Sequence, residues 1–194
     1  VYADAGDFDR AIRDHNTAIK LKPDYASAYN NRGIVYYRIG DFDRAIRDYR
    51  KAIELKSNFL EAYSNSGIAY YSKGNFDKAI KDFDRVIELD PNDAKAYSNR
   101  GTAYLRKRDF DRAIQSYDIG IKLEPSFAGF YSNRGEAWLH LKEWERARAD
   151  LIFARSKDFD IIASFRKDYE NVADFEEKNG VQLPEDLKAM LTQQ

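Results

Sequence analysis

Cysteine is absent from the 194 residues. That removes disulfides and thiolate metal sites from consideration and fits a reducing, cytoplasmic setting. Long apolar runs are absent as well: none approaches the ~18 residues a membrane span needs, and no cleavable leader is visible. A surplus of one charge is also lacking. The 32 basic and 33 acidic residues leave a formal net charge of -1, so no global field draws the chain to nucleic acid or to an anionic membrane. Histidine is scarce, with 2 in the chain. No H-E-x-x-H, G-x-x-x-x-G-K or G-x-S-x-G occurs. His15 stands in the column of Tyr49, Phe83 and Tyr117, a core position, and is far along the chain from His140. A metal site, a cofactor and catalytic activity are therefore not expected.

What is present is periodic. The chain is 43% hydrophobic and 14% aromatic, enough to build a core. Gly33, Gly67, Gly101 and Gly135 stand 34 residues apart, as do Tyr29, Tyr63, Tyr97 and Tyr131, and Asn31, Asn65, Asn99 and Asn133. Further columns run Tyr2, Tyr36, Tyr70, Tyr104, Trp138 and Ala11, Ala45, Ala79, Ala113, Ala147. Pro23, Pro91 and Pro125 share a column that Ser57 interrupts. A fixed period of this length marks stacked supersecondary units.

Each unit reads as two helices. Tyr29, Gly33 and Tyr36, spaced by four and three, share one helical face. Gly40 is suited to the left-handed residue that ends the first helix. Asp41 follows as the N-cap of the second, and Asp7, Asn75 and Asp109 repeat it. The second helix buries Ala45, Ile46, Tyr49, Ala52 and Ile53. Proline then punctuates the units. Glycine within a helix costs up to ~1 kcal/mol against alanine, so its recurrence at Gly33 implies a close helix crossing. Arg108 and Lys142 stand where the interhelix glycine should be, so turns of another shape are expected there.

Tyr29, Gly33, Tyr36, Ala45, Tyr49, Ala52 and Pro23 together resemble the tetratricopeptide repeat signature. The resemblance implies an all-α, right-handed superhelical solenoid of antiparallel helix pairs with a C-terminal capping helix. The first helices would line a concave inner side. The units are 26–59, 60–93 and 94–127, a degenerate 128–161, a truncated one at 1–25, and a cap at 162–194. The chain opens on Val1-Tyr2, in register with Val35-Tyr36, so a fragment of a longer array is the expectation, with self-association through that truncated end as one consequence. In the cap, Ile161, Ile162, Phe165, Tyr169, Val172 and Phe175 form an amphipathic stripe expected as one helix ended by Gly180. Tyr169 stands where the small glycine belongs. Pro184 is expected to start a last short helix. The tail is similar to those closing some bacterial repeat proteins.

The site expected on this reading is the inner groove. Asn31, Asn65, Asn99 and Asn133 lie two residues beyond the core tyrosines. Helical rotation turns them from the core toward the groove, where each amide offers a donor and an acceptor to a partner's backbone. Asparagine columns occur in tetratricopeptide domains that hold peptides this way. A bond to a neighbouring helix is the competing role. Tyr37 and Tyr71 add stiff contact area, or pack along the groove wall. Arg38, Arg106 and Lys95 favour an acidic segment or a free carboxylate. Asn31, Asn65, Lys95 and Asn99 partly resemble the family's two-carboxylate clamp, but Asn99 and Asn30 replace its arginine and first lysine, so a chaperone-tail reader is not expected. The Arg32, Arg100, Arg134 column, broken by Ser66, and the Asp14, Asp48, Asp82, Asp150 column read as interhelix ion pairs. The resulting expectation is a non-enzymatic scaffold binding a protein or peptide. The alternatives are an oligomerisation module or a non-catalytic arm of a larger protein.

Overall fold

The computed structural model describes residues 7–192; the helix start expected at Val1 and Tyr2 lies outside the described residues. Twelve α-helices and no strand occur among the described residues. In order they are α1 (Phe8–Leu21), α2 (Ala26–Arg38), α3 (Phe42–Leu55), α4 (Leu60–Ser72), α5 (Phe76–Leu89), α6 (Ala94–Arg106), α7 (Phe110–Leu123), α8 (Ala128–His140), α9 (Trp144–Arg155), α10 (Ile161–Phe165), α11 (Val172–Asn179) and α12 (Glu185–Thr192). The chain divides into two compact units, one ending at Ala103 and one beginning at Tyr104, within α6. In the first unit α1 packs on α2, α2 on α3, α3 on α4 and α4 on α5. In the second α7 packs on α8 and α8 on α9. The fold is thus an all-α solenoid of antiparallel helix pairs.

Local chemistry sets the helix ends. Asp7, Asp41, Asn75 and Asp109 each accept a hydrogen bond from the backbone N–H three residues on, at 3.0, 2.9, 3.3 and 3.3 Å. This satisfies one of the N–H groups that a helix start leaves unpaired. The turns before them close alike: Asp41 N–H donates to Tyr36 O at 2.9 Å, Asn75 to Tyr70 at 2.9 Å, Asp109 to Tyr104 at 3.0 Å and Glu143 to Trp138 at 3.0 Å. Gly40 and Gly74 take the left-handed conformation at φ 81° and 74°. Arg108 and Lys142 take it too, at φ 62° and 60°. The expectation of differently shaped turns is therefore corrected. The hydrogen-bonded closure holds the left-handed residue in place although a Cβ there costs ~1–2 kcal/mol.

The helix crossing explains the glycine column. A Cβ on Gly33 would meet Tyr49 Cε1 at 2.6 Å, and one on Gly67 would meet Phe83 Cε1 at 2.6 Å. Both rings are buried. In the last pair Leu151 takes the ring's place, and a Cβ on Gly135 would meet its side chain at 3.1 Å. A second size exchange is confined to one seam. Gly120 stands in the column of Ala52, Val86 and Ala154, while Phe130 stands in the column of Ala62 and Ala96. A Cβ on Gly120 would collide with the Phe130 ring. The glycine makes room for the phenylalanine.

The ion-pair columns obey a rule across three positions. Arg32 donates to both oxygens of Asp48 at 2.7 and 2.6 Å, and to Asn16 at 2.6 Å. Arg134 does the same to Asp150 at 2.8 and 2.7 Å, and to Asp118 at 2.5 Å. Where the column breaks at Ser66, Arg50 reaches Asp82 at 2.7 Å. Arg100, with Ser116 in its forward column, turns back to Asp84 at 2.9 Å. Each triplet in register (16, 32, 48; 50, 66, 82; 84, 100, 116; 118, 134, 150) carries one arginine. Asp48, Asp82 and Asp150 are buried. Leaving such a carboxylate without its cation costs far more than breaking an exposed pair.

The C-terminal region departs from the repeat. The single helix expected over 160–178 is broken: α10 ends at Phe165, and α11 begins at Val172. Tyr169 falls in the glycine column, and a ring there leaves no room for a second helix at a close crossing. Gly180 caps α11 in the left-handed conformation at φ 62°. The last helix begins at Glu185, one residue after Pro184.

Three stability measurements follow, each read as the urea midpoint by circular dichroism. Gly33→Ala and Gly67→Ala should each destabilise, because overpacking costs ~1–3 kcal/mol against ~1 kcal/mol of helix propensity gained, whereas Gly135→Ala, facing a side chain that can yield, should be near neutral. Lys142→Gly should stabilise by ~1 kcal/mol by relieving the left-handed residue. Arg50→Ala should cost ~1–3 kcal/mol by orphaning Asp82, and adding Ser66→Arg should recover most of that loss; no recovery would disprove the triplet rule.

Candidate functional site

In the first unit, α2 and α4 touch directly, and their uncovered faces carry the expected residues. Asn31 is exposed, and Asn65 and Asn99 are half-buried. Asn65 Nδ2 donates to Asn30 Oδ1 at 3.0 Å, and Asn30 Nδ2 makes a long 3.5 Å contact to Asn31 Oδ1. The two first helices are thus linked by a chain of amides. Asn30 is buried and was not among the expected site residues. Its signal was a small polar column shared with Ser64, Ser98 and Ser132.

Tyr37 and Tyr71 lie half-exposed along the same faces. Tyr37 packs its ring on Phe42 at 5.3 Å and shares a hydrogen bond with Ser72 Oγ at 3.0 Å. Tyr71 packs on Phe76 at 5.4 Å. Both rings are therefore held in place. Arg38 and Lys95 are exposed. Between α4 and α6, Ile68, Tyr71, Asn99 and Thr102 surround a cavity of about 90 Å³ floored by Phe83. His15, on α1, is half-buried, and burial lowers its pKa from the ordinary value.

In the second unit, Asn133 is half-buried on α8. Arg106, two turns beyond Asn99 on α6, is engaged by the chain itself: it bonds Asp168 at 2.5 Å and lies 3.8 Å from Glu136. Glu136 stands in the column of Ile34, Ile68 and Thr102. It is 7% exposed, and its Oε1 has no hydrogen-bond partner among the described residues. Burial first, and then the charge of Asp168, pushes its pKa up to about 7 against the opposing pull of Arg106. His140 stacks on Phe110 at 4.4 Å, and its Nε2 shares a hydrogen bond with Tyr169 Oη at 3.0 Å. Burial, followed by the charges of Arg108 and Arg106, lowers its pKa to about 4. A carboxylate in an otherwise apolar and hydroxyl column was visible in the sequence. Its cover of residues from the C-terminal region was not.

Among the described residues, no group of three or more His, Asp or Glu side chains is placed to hold a metal ion. No helix is long and apolar enough to cross a membrane.

Three family models match the chain. The TPR repeat model covers residues 1–40 and 67–108, and two tetratricopeptide repeat models cover 26–59 and 98–154. No curated protein matches it. Among solved structures, a crystal structure of MamA shares 29% identity over 81% of this chain and 92% of that one, with a TM-score of 0.77. MamA 41-end from Desulfovibrio magneticus RS-1 shares 18% identity over 81% and 89%, with a TM-score of 0.77. YrrB, described as a TPR protein with an unusual peptide-binding site, shares 20% identity over 80% of each chain, with a TM-score of 0.71. The repeated columns, the helix pairs with their glycine crossings and these matches agree: the chain belongs to the tetratricopeptide repeat family.

Proposed function

We propose that the chain is a protein-interaction scaffold whose first-helix faces hold a segment of a partner protein. The observation that carries this reading is the amide row on the first unit. Asn31, Asn65 and Asn99 recur at one position on successive first helices, exposed or half-buried. Amides can pair with both the N–H and the C=O of a partner's backbone with little regard to its sequence. The bond from Asn65 to Asn30 uses one of the amide's two hydrogens and orients the group. The packed Tyr37 and Tyr71 rings offer contact area already ordered before binding, which lowers the entropic cost of association. Exposed Lys95 and Arg38 favour an acidic segment. Asn133 supplies the same group on the second unit. Arg106 does not add to the basic set while it is bonded to Asp168. That a solved relative in fold, YrrB, is described as having a peptide-binding site is in keeping with this use.

The test uses peptides selected from a displayed library on the unaltered protein. Their affinities are then measured on the Asn31, Asn65, Asn99 and Asn133 quadruple alanine variant. Each lost hydrogen bond is worth ~0.5–1.5 kcal/mol, so binding should weaken by about tenfold or more while the helical content is kept. Undiminished binding by the folded variant would remove the amide row from the mechanism.

A further inference from the structure

The first-helix face of the second unit is already occupied, and the occupant is part of the same chain. Residues 166–179 leave the repeat path after α10 and fold over Arg106 and His140. The segment is tied at both ends by apolar anchors: Ile161, Ile162 and Phe165 before it, and Val181, Leu183, Leu187 and Leu191 after it, all buried. Between the anchors Val172 and Phe175 join the same buried cluster, and the remaining contacts are polar. Asp168 bonds Arg106, Tyr169 pairs with His140 at 3.0 Å, and Asn179 accepts from Arg108 at 2.9 Å. Phe175 is the one ring pushed fully inside, 5.2 Å from His140 and 4.9 Å from Tyr169.

This arrangement is a poor solution for a permanent cap. Glu136 is enclosed by side chains of α8, α9, α10 and α12 without a hydrogen bond to Oε1, and its nearest cation is shared with Asp168 of the segment. The corresponding Ile34 and Ile68 show that an apolar residue is available to the same fold at this position. A buried carboxyl oxygen left without a hydrogen bond, in a column that holds isoleucine at Ile34 and Ile68, is a local rule broken, and such breaks concentrate at functional sites.

We propose that residues 166–179 are a latch, a resident occupant of the second unit's first-helix face that swings away to admit a partner segment carrying a carboxylate beside an aromatic ring. That chemistry is the one the latch itself presents in Asp168 and Tyr169. Opening breaks the bonds that tie Glu176 of the latch to the Leu183 N–H and to Lys188 of α12, while the apolar side chains of α10 and α12 stay buried. The proposal rests on the first-helix face being a binding surface, but its opening is measured without any partner.

The experiment is hydrogen–deuterium exchange on the full chain, corrected for intrinsic rates, at pH 5 and pH 8. Amides of 166–179 should open at least tenfold more often than those of α8 and α9. The groups facing the two buried titratable side chains are Arg106 from α6, Arg108 from the α6–α7 turn, and Asp168, Tyr169 and Asn179 from the latch. The other residues around Glu136, from α9, α10 and α12, are uncharged. The signs follow from linkage. Opening removes the charge of Asp168 from beside Glu136, the second cause after burial of its raised pKa, so ionisation of Glu136 disfavours docking as pH rises toward 7. His140, at about 4, below its ordinary value, disfavours docking as pH falls below the ordinary value of 6.5. In the unaltered protein these oppose. Glu136→Gln should leave the latch about tenfold or more better protected at pH 8 than at pH 5, and His140→Gln should show the reverse. A synthetic peptide of residues 164–180, added in excess, should speed exchange in 166–179, and a scrambled peptide should not. Exchange of 166–179 only together with α8 and α9, absence of the opposed pH slopes, or indifference to the peptide would each overturn the latch. None of these outcomes touches the amide row of the first unit, whose own test is the alanine variant.

Discussion

A ring received by a glycine is the contact from which the rest of the structure follows. Tyr49 sits against Gly33 and Phe83 against Gly67, so close that one methyl group would collide. Two helices of a pair can therefore approach until their apolar faces exclude water. The interior of a protein is close-packed, so this crossing leaves little freedom elsewhere. The alanine columns at Ala45, Ala79, Ala113 and Ala147 are fully buried because the same proximity has no room for more. Where a larger residue enters, a smaller one yields, as Gly120 does to Phe130.

The same constraint decides where the repeat stops. Tyr169 brings a ring to the position that should receive one, and no second helix can cross there. The chain turns after Phe165 and places Asp168 and Tyr169 against side chains that would otherwise face outward. A packing rule in the core thereby becomes a chemical arrangement on the surface: a buried carboxyl, a neutral imidazole and an arginine shared between two carboxylates. The two units consequently differ in what their first helices present. Amides and packed tyrosines lie open in the first, and a self-supplied acidic and aromatic segment covers the second.

Charge is distributed by an equally economical rule. Balanced composition hides the fact that each register triplet contains one arginine, placed at whichever of two positions the neighbours leave for it. Arg50 substitutes for the arginine missing at Ser66, and the buried Asp82 keeps a cation. Pairs of this kind contribute little when exposed. Their weight here comes from the burial of the carboxylate, which makes the register of the arginines a condition of stacking.

Much was legible before any coordinates. The period, the helix pairs, the N-caps at Asp7, Asp41, Asn75 and Asp109, and the close crossing at Gly33 all depend on residues near one another in the chain or repeated at a constant offset, so a linear pattern records them. The left-handed turns at Arg108 and Lys142 escaped that reading because a hydrogen-bonded closure outweighed the residue's own preference. The break at Arg166–Asn171, the amide link from Asn65 to Asn30 and the cover over Glu136 were decided by tertiary structure alone. Arg106 meets Asp168 across 62 residues of chain, and no periodicity encodes that meeting. Sequence determined which faces are apolar and how often they recur, since helical geometry is local. Which polar groups those faces finally bring together depended on non-local packing, where a single ring too large for its column left no room for a second helix.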